Sequence, residues 1–260
     1  MKTRIRLLCS ALSLIIAGVA HADSTWTLTA AGAVAGKNDP TSVTVSAQGW
    51  ADTSDGALEA QGVGANGSAG VYLYDGGLGM KNKDYCGSSP CDASEGTSPE
   101  HAVDNDERYE MLLLSFSSAV NLKAVNIGWV GSDSDISVLA YTPGAANPQA
   151  PSLSGNTWSG VTASGWSVIG NYSNPGTGSE SINATGRFSS YWLIGAFNPL
   201  ATGSTSGMEM KSDAIKLLSV TGVARPPGGD NGVPEPGTVA LFGAALLGMI
   251  GLRRRAYACG

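Results

Sequence analysis

The sequence predicts an all-β fold, an antiparallel β-sandwich or jelly roll, from three observations. The 260 residues include 36 glycines and 12 prolines, with only 14% charged and 7% aromatic residues, a composition suited to one turn-rich β-domain rather than a helical bundle. Short runs of β-branched and aromatic residues recur between clusters of Gly, Asn, Ser and Pro. No stretch longer than about ten residues carries an apolar stripe at helical spacing.

Taken in order, the runs are Thr25 to Thr29, Ser42 to Ala47, Val71 to Tyr74, Tyr109 to Phe116, Val120 to Trp129, Ile136 to Tyr141, Trp166 to Tyr172, Tyr191 to Phe197 and Ala214 to Val223, giving roughly nine strands. Alternation is clearest in Val120, Leu122 and Ala124. It then shifts by one residue to Val125, Ile127 and Trp129, as a bulge or a change of sheet would produce. Many short antiparallel strands without helices bury best as two packed sheets. A solenoid would show self-similarity at a fixed period, and none is present. The 42% hydrophobic content and six tryptophans supply a core, which argues against a low-complexity matrix chain.

Both ends read as targeting segments. Lys2, Arg4 and Arg6 precede the apolar run Leu7 to Val19, and Ala20-His21-Ala22 gives the small-x-small pattern that a signal peptidase accepts. Residues 1–22 are therefore expected to be a signal peptide handled by the Sec machinery and cleaved after Ala22. The apolar run is shorter than the ~20 residues of a spanning helix. At the other end, the polar, Gly-rich spacer 228–232 leads into Val233-Pro234-Glu235-Pro236, followed by the apolar stretch Thr238 to Leu252 and then Arg253-Arg254-Arg255.

This order of motif, short apolar helix and basic stop resembles the C-terminal sorting signal of PEP-CTERM proteins. The resemblance implies that an exosortase recognises Pro234, Glu235 and Pro236, cleaves near them, and passes the body to an acceptor in the envelope or the extracellular polymer matrix. Elementary physics is consistent with it. Arginines resist translocation, so Arg253 to Arg255 hold the C-terminus in the cytoplasm and place Glu235 on the outer face of the inner membrane. The fifteen residues Thr238 to Leu252 span only about 22 Å as a helix, short of a ~30 Å hydrocarbon core. A temporary anchor fits that length better than a permanent one. The chain divides accordingly into a signal peptide (1–22), a β-domain (23–227), the spacer (228–232) and the sorting signal with its transmembrane helix (233–260).

Within the body, His101-Ala102-Val103-Asp104-Asn105, Tyr109 to Phe116, Val125 to Trp129, Ser132 to Val138, Tyr191 to Ala196 and Asp213 to Val220 are similar to a pattern shared by exosortase-dependent surface proteins. That likeness implies location and processing, not a biochemical activity.

With both ends removed, 9 basic residues stand against 20 acidic ones, a formal charge near −11 (9 − 20). Nucleic-acid binding rests on Lys and Arg clusters that neutralise phosphates, so no nucleic-acid partner is expected. The same balance leaves divalent cations open as ligands.

Among chemistry-bearing residues, Cys86 and Cys91 lie close together in a Gly-, Ser- and Pro-rich loop, and in an oxidising compartment they are expected to form a disulfide. Zinc is the alternative, but two Cys and one nearby His fall short of four ligands. Once the signal peptide is gone His101 is the one histidine, which leaves little for a catalytic triad. Asp104, Asp106, Glu107 and Glu110, together with Asp133 and Asp135, admit three readings: a solvated acidic loop, a calcium site at Asp104, Asp133 and Asp135, or a glycosidase pair. EF-hand spacing is absent. Of the tryptophans Trp50, Trp129, Trp158, Trp166 and Trp192, the apolar context of Trp129 and Trp192 marks them as core. Trp158 and Trp166 sit among Ser and Gly and are candidates for sugar stacking.

The expectation is an exported, non-enzymatic component of the cell surface or biofilm matrix. The alternative is a carbohydrate-binding jelly roll that attaches to exopolysaccharide.

Overall fold

The computed structural model describes residues 23–29, 32–35, 43–53, 56–65, 68–84, 101–142, 151–204 and 207–225. The expectation of an antiparallel all-β fold holds, with thirteen strands joined in one continuous hydrogen-bonded network. In chain order they are β1 (Ser24–Thr27), β2 (Gly32–Ala35), β3 (Thr44–Asp52), β4 (Leu58–Gly62), β5 (Gly70–Tyr74), β6 (Gly77–Lys81), β7 (Val103–Asp104), β8 (Glu110–Val130), β9 (Ile136–Tyr141), β10 (Trp166–Tyr172), β11 (Gly178–Ser181), β12 (Ser189–Ala196) and β13 (Ala214–Ala224). One helical turn, α1 (Pro199–Thr202), and two 3-10 turns, Trp158–Gly160 and Thr162–Ser164, complete the described elements.

The sequence expects two strands where the structure has one, the 21-residue β8. Its first part, 110–116, pairs with β3 and β12, and its second, 120–130, pairs with β11 and β13. Ser117, Ser118 and Ala119 lie between the two sets of partners, where small residues let the strand turn from one to the other. The one-residue shift in alternation is a bulge: Leu122 faces Gly222 and Ala124 faces Thr221, leaving Lys123 as the extra residue. A second bulge falls at Gly128, between the Ile127–Leu217 and Trp129–Lys216 pairs. Glycine is required there, because a Cβ at Gly128 would collide with the Gly76 carbonyl.

Alternate residues of the first part of β8 bury in opposite directions. Leu112, Leu114 and Phe116 join Trp26, Leu122, Ile127, Trp192 and Leu217 in one cluster. Trp26 meets the Phe116 ring edge-on at 5.2 Å and donates its indole N–H to the Val43 carbonyl at 2.9 Å. Met111, Leu113, Leu139 and Leu193 instead join Trp158 and Trp166 in a second cluster, to which Val161 and Ala201 also belong. Burial on both faces is why Met111 to Leu114 and Trp192 to Ile194 read as unbroken apolar runs rather than alternating ones.

Strand β13 sets the long dimension. Its eleven residues, ten steps of ~3.3 Å, place about 33 Å between its two ends. At its start Ala214 pairs with Asp104; at its finish Ala224 pairs with Val120 and Gly222 with Ser24. The first described residues, 23 and 24, and the last, 224 and 225, therefore lie at one pole of the sheet.

Candidate functional site

At the opposite pole, buried polar groups from five chain segments converge. Asp213 and Asp135 are each 1% exposed, and Asn105 is as deeply buried. The Asn105 side-chain amide donates to Asp213 Oδ2 at 2.6 Å and to the Phe197 carbonyl at 2.9 Å. Its Oδ1 accepts from the backbone N–H groups of Ser212 and Asp213 at 3.1 and 3.0 Å. These two amides converge because Lys211 and Ser212 both adopt positive φ, 67° and 112°, a conformation that non-glycine residues hold only when neighbours enforce it. Asp213 Oδ1 accepts from the Asp135 amide at 2.7 Å. Asp135 in turn accepts from the amides of Asn174 at 2.7 Å and Glu209 at 3.2 Å.

Asp133 completes a group of three carboxylates whose nearest oxygens all lie within 4.8 Å of one another. Burial pushes the Asp213 carboxyl up to about 7. Hydrogen bonds from Asn105 and the Asp135 amide oppose that shift, and the charges of Asp135 and Asp133 add to it. Such an arrangement lets Asp213 hold a proton at a higher pH than an ordinary carboxyl does.

The sequence-based cation set is thus redrawn. Asp133 and Asp135 come together as expected, but the third member of the group is Asp213, not Asp104. Asp104 is buried on β7, where its Oδ1 accepts from the Asp106 amide at 3.1 Å and its own amide donates to Glu110 Oε2 at 3.3 Å. Local turn bonding occupies those groups. Nothing in the sequence marked Asn105 and Asp213 as one site, since they are 108 residues apart and only the pairing of β7 with β13 joins them.

The aromatic assignments also change. Trp158 and Trp166, candidates for surface stacking, are 1% and 3% exposed and belong to the second core cluster; Trp158 donates its indole N–H to the Tyr109 carbonyl at 3.0 Å. Residues 151–165 fold over the outer face of the first part of β8 and its neighbours, so the Ser- and Gly-rich context lies above the rings. Trp129, expected in the core, is half-buried, with the Lys216 ammonium 4.7 Å from its ring centroid. Trp50 is buried, and Trp192 is core as expected. His101 stacks on Tyr74, centroids 5.0 Å apart and planes within 6°.

Cys86, Cys91, Val233 to Pro236 and Arg253 to Arg255 lie outside the described residues. Among the described residues no helix is long and apolar enough to cross a membrane.

Residues 232–255 match the family described as the PEP-CTERM protein-sorting motif. No curated protein and no solved structure matches the chain.

Proposed function

We propose that this chain is a non-catalytic surface or matrix protein whose PEP-CTERM motif directs its export and exosortase processing, with the β-domain as the delivered cargo. The observation that carries this reading is the sorting-motif match over residues 232–255, which implicates an exosortase as processing partner and surface delivery after a membrane-associated step. The fold is consistent with it, because β13, the last described strand, ends at Ala224 on a single pole of the sheet.

Support for a non-catalytic body comes from what occupies the candidate catalytic groups. His101 is stacked on Tyr74, and Asp104 and Glu110 are engaged with backbone amides of their own turn. The burial of Trp158 and Trp166 argues against sugar stacking on those two rings. Half-buried Trp129 is the remaining tryptophan that a glycan could reach, and a glycan array with Trp129→Ala tests that alternative.

Replacing Pro234-Glu235-Pro236 by alanines tests the leading reading. The expected product is an unprocessed, inner-membrane form about 2 to 3 kDa heavier than the mature protein, corresponding to a retained apolar helix and its flanks. Normal trimming and surface delivery of that variant, or a wild-type mature protein that still carries Arg253 to Arg255, would overturn it.

A further inference from the structure

The pole from which the tail leaves differs in charge from the rest of the body. Lys123, Arg187 and Arg225 gather there, on a β-domain whose formal charge is near −10 (9 − 19). Their proximity follows from the pairing: Val120 lies opposite both Ala224 and Ser189, and the Asn183 side-chain amide donates to both Asn121 Oδ1 and the Arg187 carbonyl. The Arg225 guanidinium lies 5.0 Å from the centroid of the half-buried Phe188 ring. Arg187 is exposed, and Lys123 holds Asp23 at 2.6 Å with both side chains nearly half exposed. Cleavage after Ala22 would add the α-amine of Asp23 to the same place. Asp104, Asp106, Glu107, Asp133, Asp135, Glu209 and Asp213 lie toward the other end of β13, with Lys211, Lys216 and Arg108 as basic residues among them.

We propose that this cationic, aromatic pole is a membrane-docking face, which seats on anionic phospholipid headgroups while the tail holds the chain in the bilayer and points the acidic pole outward. Two magnitudes favour it. Twelve residues, 226–237, separate Arg225 from the apolar stretch that begins at Thr238, and thirteen extended steps reach about 47 Å at most, so the tether keeps the pole at high effective concentration over the bilayer surface. The acidic pole stands about 33 Å further away, several times the ~8 Å screening length at physiological salt. With this pole turned to the bilayer, a lipid surface senses the near cations and hardly senses the distant acids. Arg225 over Phe188 suits a headgroup layer, where an aromatic body and a charged tip both find favourable surroundings. The inference rests on the tail entering the bilayer and does not depend on cleavage by an exosortase.

The test reconstitutes the full chain in vesicles of phosphatidylcholine alone or with one-third phosphatidylglycerol, both carrying a headgroup-attached quencher. A fluorescent amino acid is placed either at exposed Ala184, on the docking pole, or at exposed Met210, on the far one. The probe at Ala184 is expected to be quenched severalfold more in the anionic vesicles, the probe at Met210 equally little in both. Salt at 0.5 M or the double change Arg187→Glu and Arg225→Glu should abolish the difference. Arg187→Gln, confined to an exposed side chain, should shift the docked-to-undocked ratio roughly fivefold without altering the melting curve. Equal quenching at the two sites, no dependence on lipid charge, or indifference to the Arg187 variants would overturn docking. Failure of the chain to float with vesicles would instead overturn the reading of the tail, and the proposal with it.

Discussion

Asn105 and Asp213, 108 residues apart, are joined twice: the Asn105 side-chain amide donates to Asp213 Oδ2 at 2.6 Å, and the Asp213 backbone amide donates to Asn105 Oδ1 at 3.0 Å. The same asparagine also satisfies the Ser212 amide and the Phe197 carbonyl, so one side chain ties the end of β7 to the end of β12 and the start of β13. Asn105→Ala leaves these buried groups without partners and removes the clamp on two positive-φ residues. The expected cost is on the order of 3 kcal/mol, read as a lower urea midpoint with an unchanged slope. A loss below about 0.5 kcal/mol, the size expected at an ordinary surface position, would show that the cluster is not a structural hub.

The Asp213 carboxyl gives stability a definite pH dependence. Its folded value of about 7 lies above the ordinary 3.8, so the folded state holds more protons than the unfolded state between those two values. Stability therefore falls as pH rises from about 4 to 7 and levels off above, with a loss of up to about 4 kcal/mol from this group. Asp213→Asn should flatten that part of the profile. Thermal melting from pH 4 to 8 in chelator makes the comparison, and identical slopes for wild type and variant would refute the assignment.

Calcium, proposed to be held by Asp133, Asp135 and Asp213, would compete with that proton. Millimolar calcium should then raise the melting temperature more at pH 8, where Asp213 is ionised, than at pH 5, because a ligand that binds only the folded state stabilises it by mass action. Equal melting curves in calcium and chelator at pH 8 would remove the metal and leave the proton.

Trp158 is expected to contribute stability and no ligand affinity. Trp158→Ala opens a cavity in the second cluster and strands the Tyr109 carbonyl, at a cost of about 3 to 5 kcal/mol. Trp158→Phe retains most of the volume and should cost about 1 to 2 kcal/mol through the lost hydrogen bond. Glycan binding that disappears in the Phe variant while its melting temperature holds would contradict a purely structural role.

For Cys86 and Cys91, non-reducing mass spectrometry of envelope-derived protein should show a mass about 2 Da below that of the reduced form, one hydrogen lost per sulfur. Two alkylatable thiols would refute the pair.

The sorting motif at 232–255 was legible in the sequence because it is a linear feature, an order of proline, apolar length and charge that the chain carries without folding. Most strand positions were legible for a similarly local reason, as Ile136 to Tyr141 and Trp166 to Tyr172 show, since β-propensity and turn residues act over a few neighbours. The sequence also showed the frame shift after Ala124 without saying whether a bulge or a change of partners caused it. The tertiary structure contains both, a bulge at Lys123 and a change of partners at 117–119. Exposure was decided only there as well. Whether Trp158 meets water depends on the strand face beneath it, and Trp129 is half covered because strand pairing sets the Lys216 side chain against its ring. Asp135 and Asp213 became one site for the same reason: burial, with the nearby charge of a residue 78 positions away, raises the Asp213 carboxyl only after folding has brought the two segments into contact.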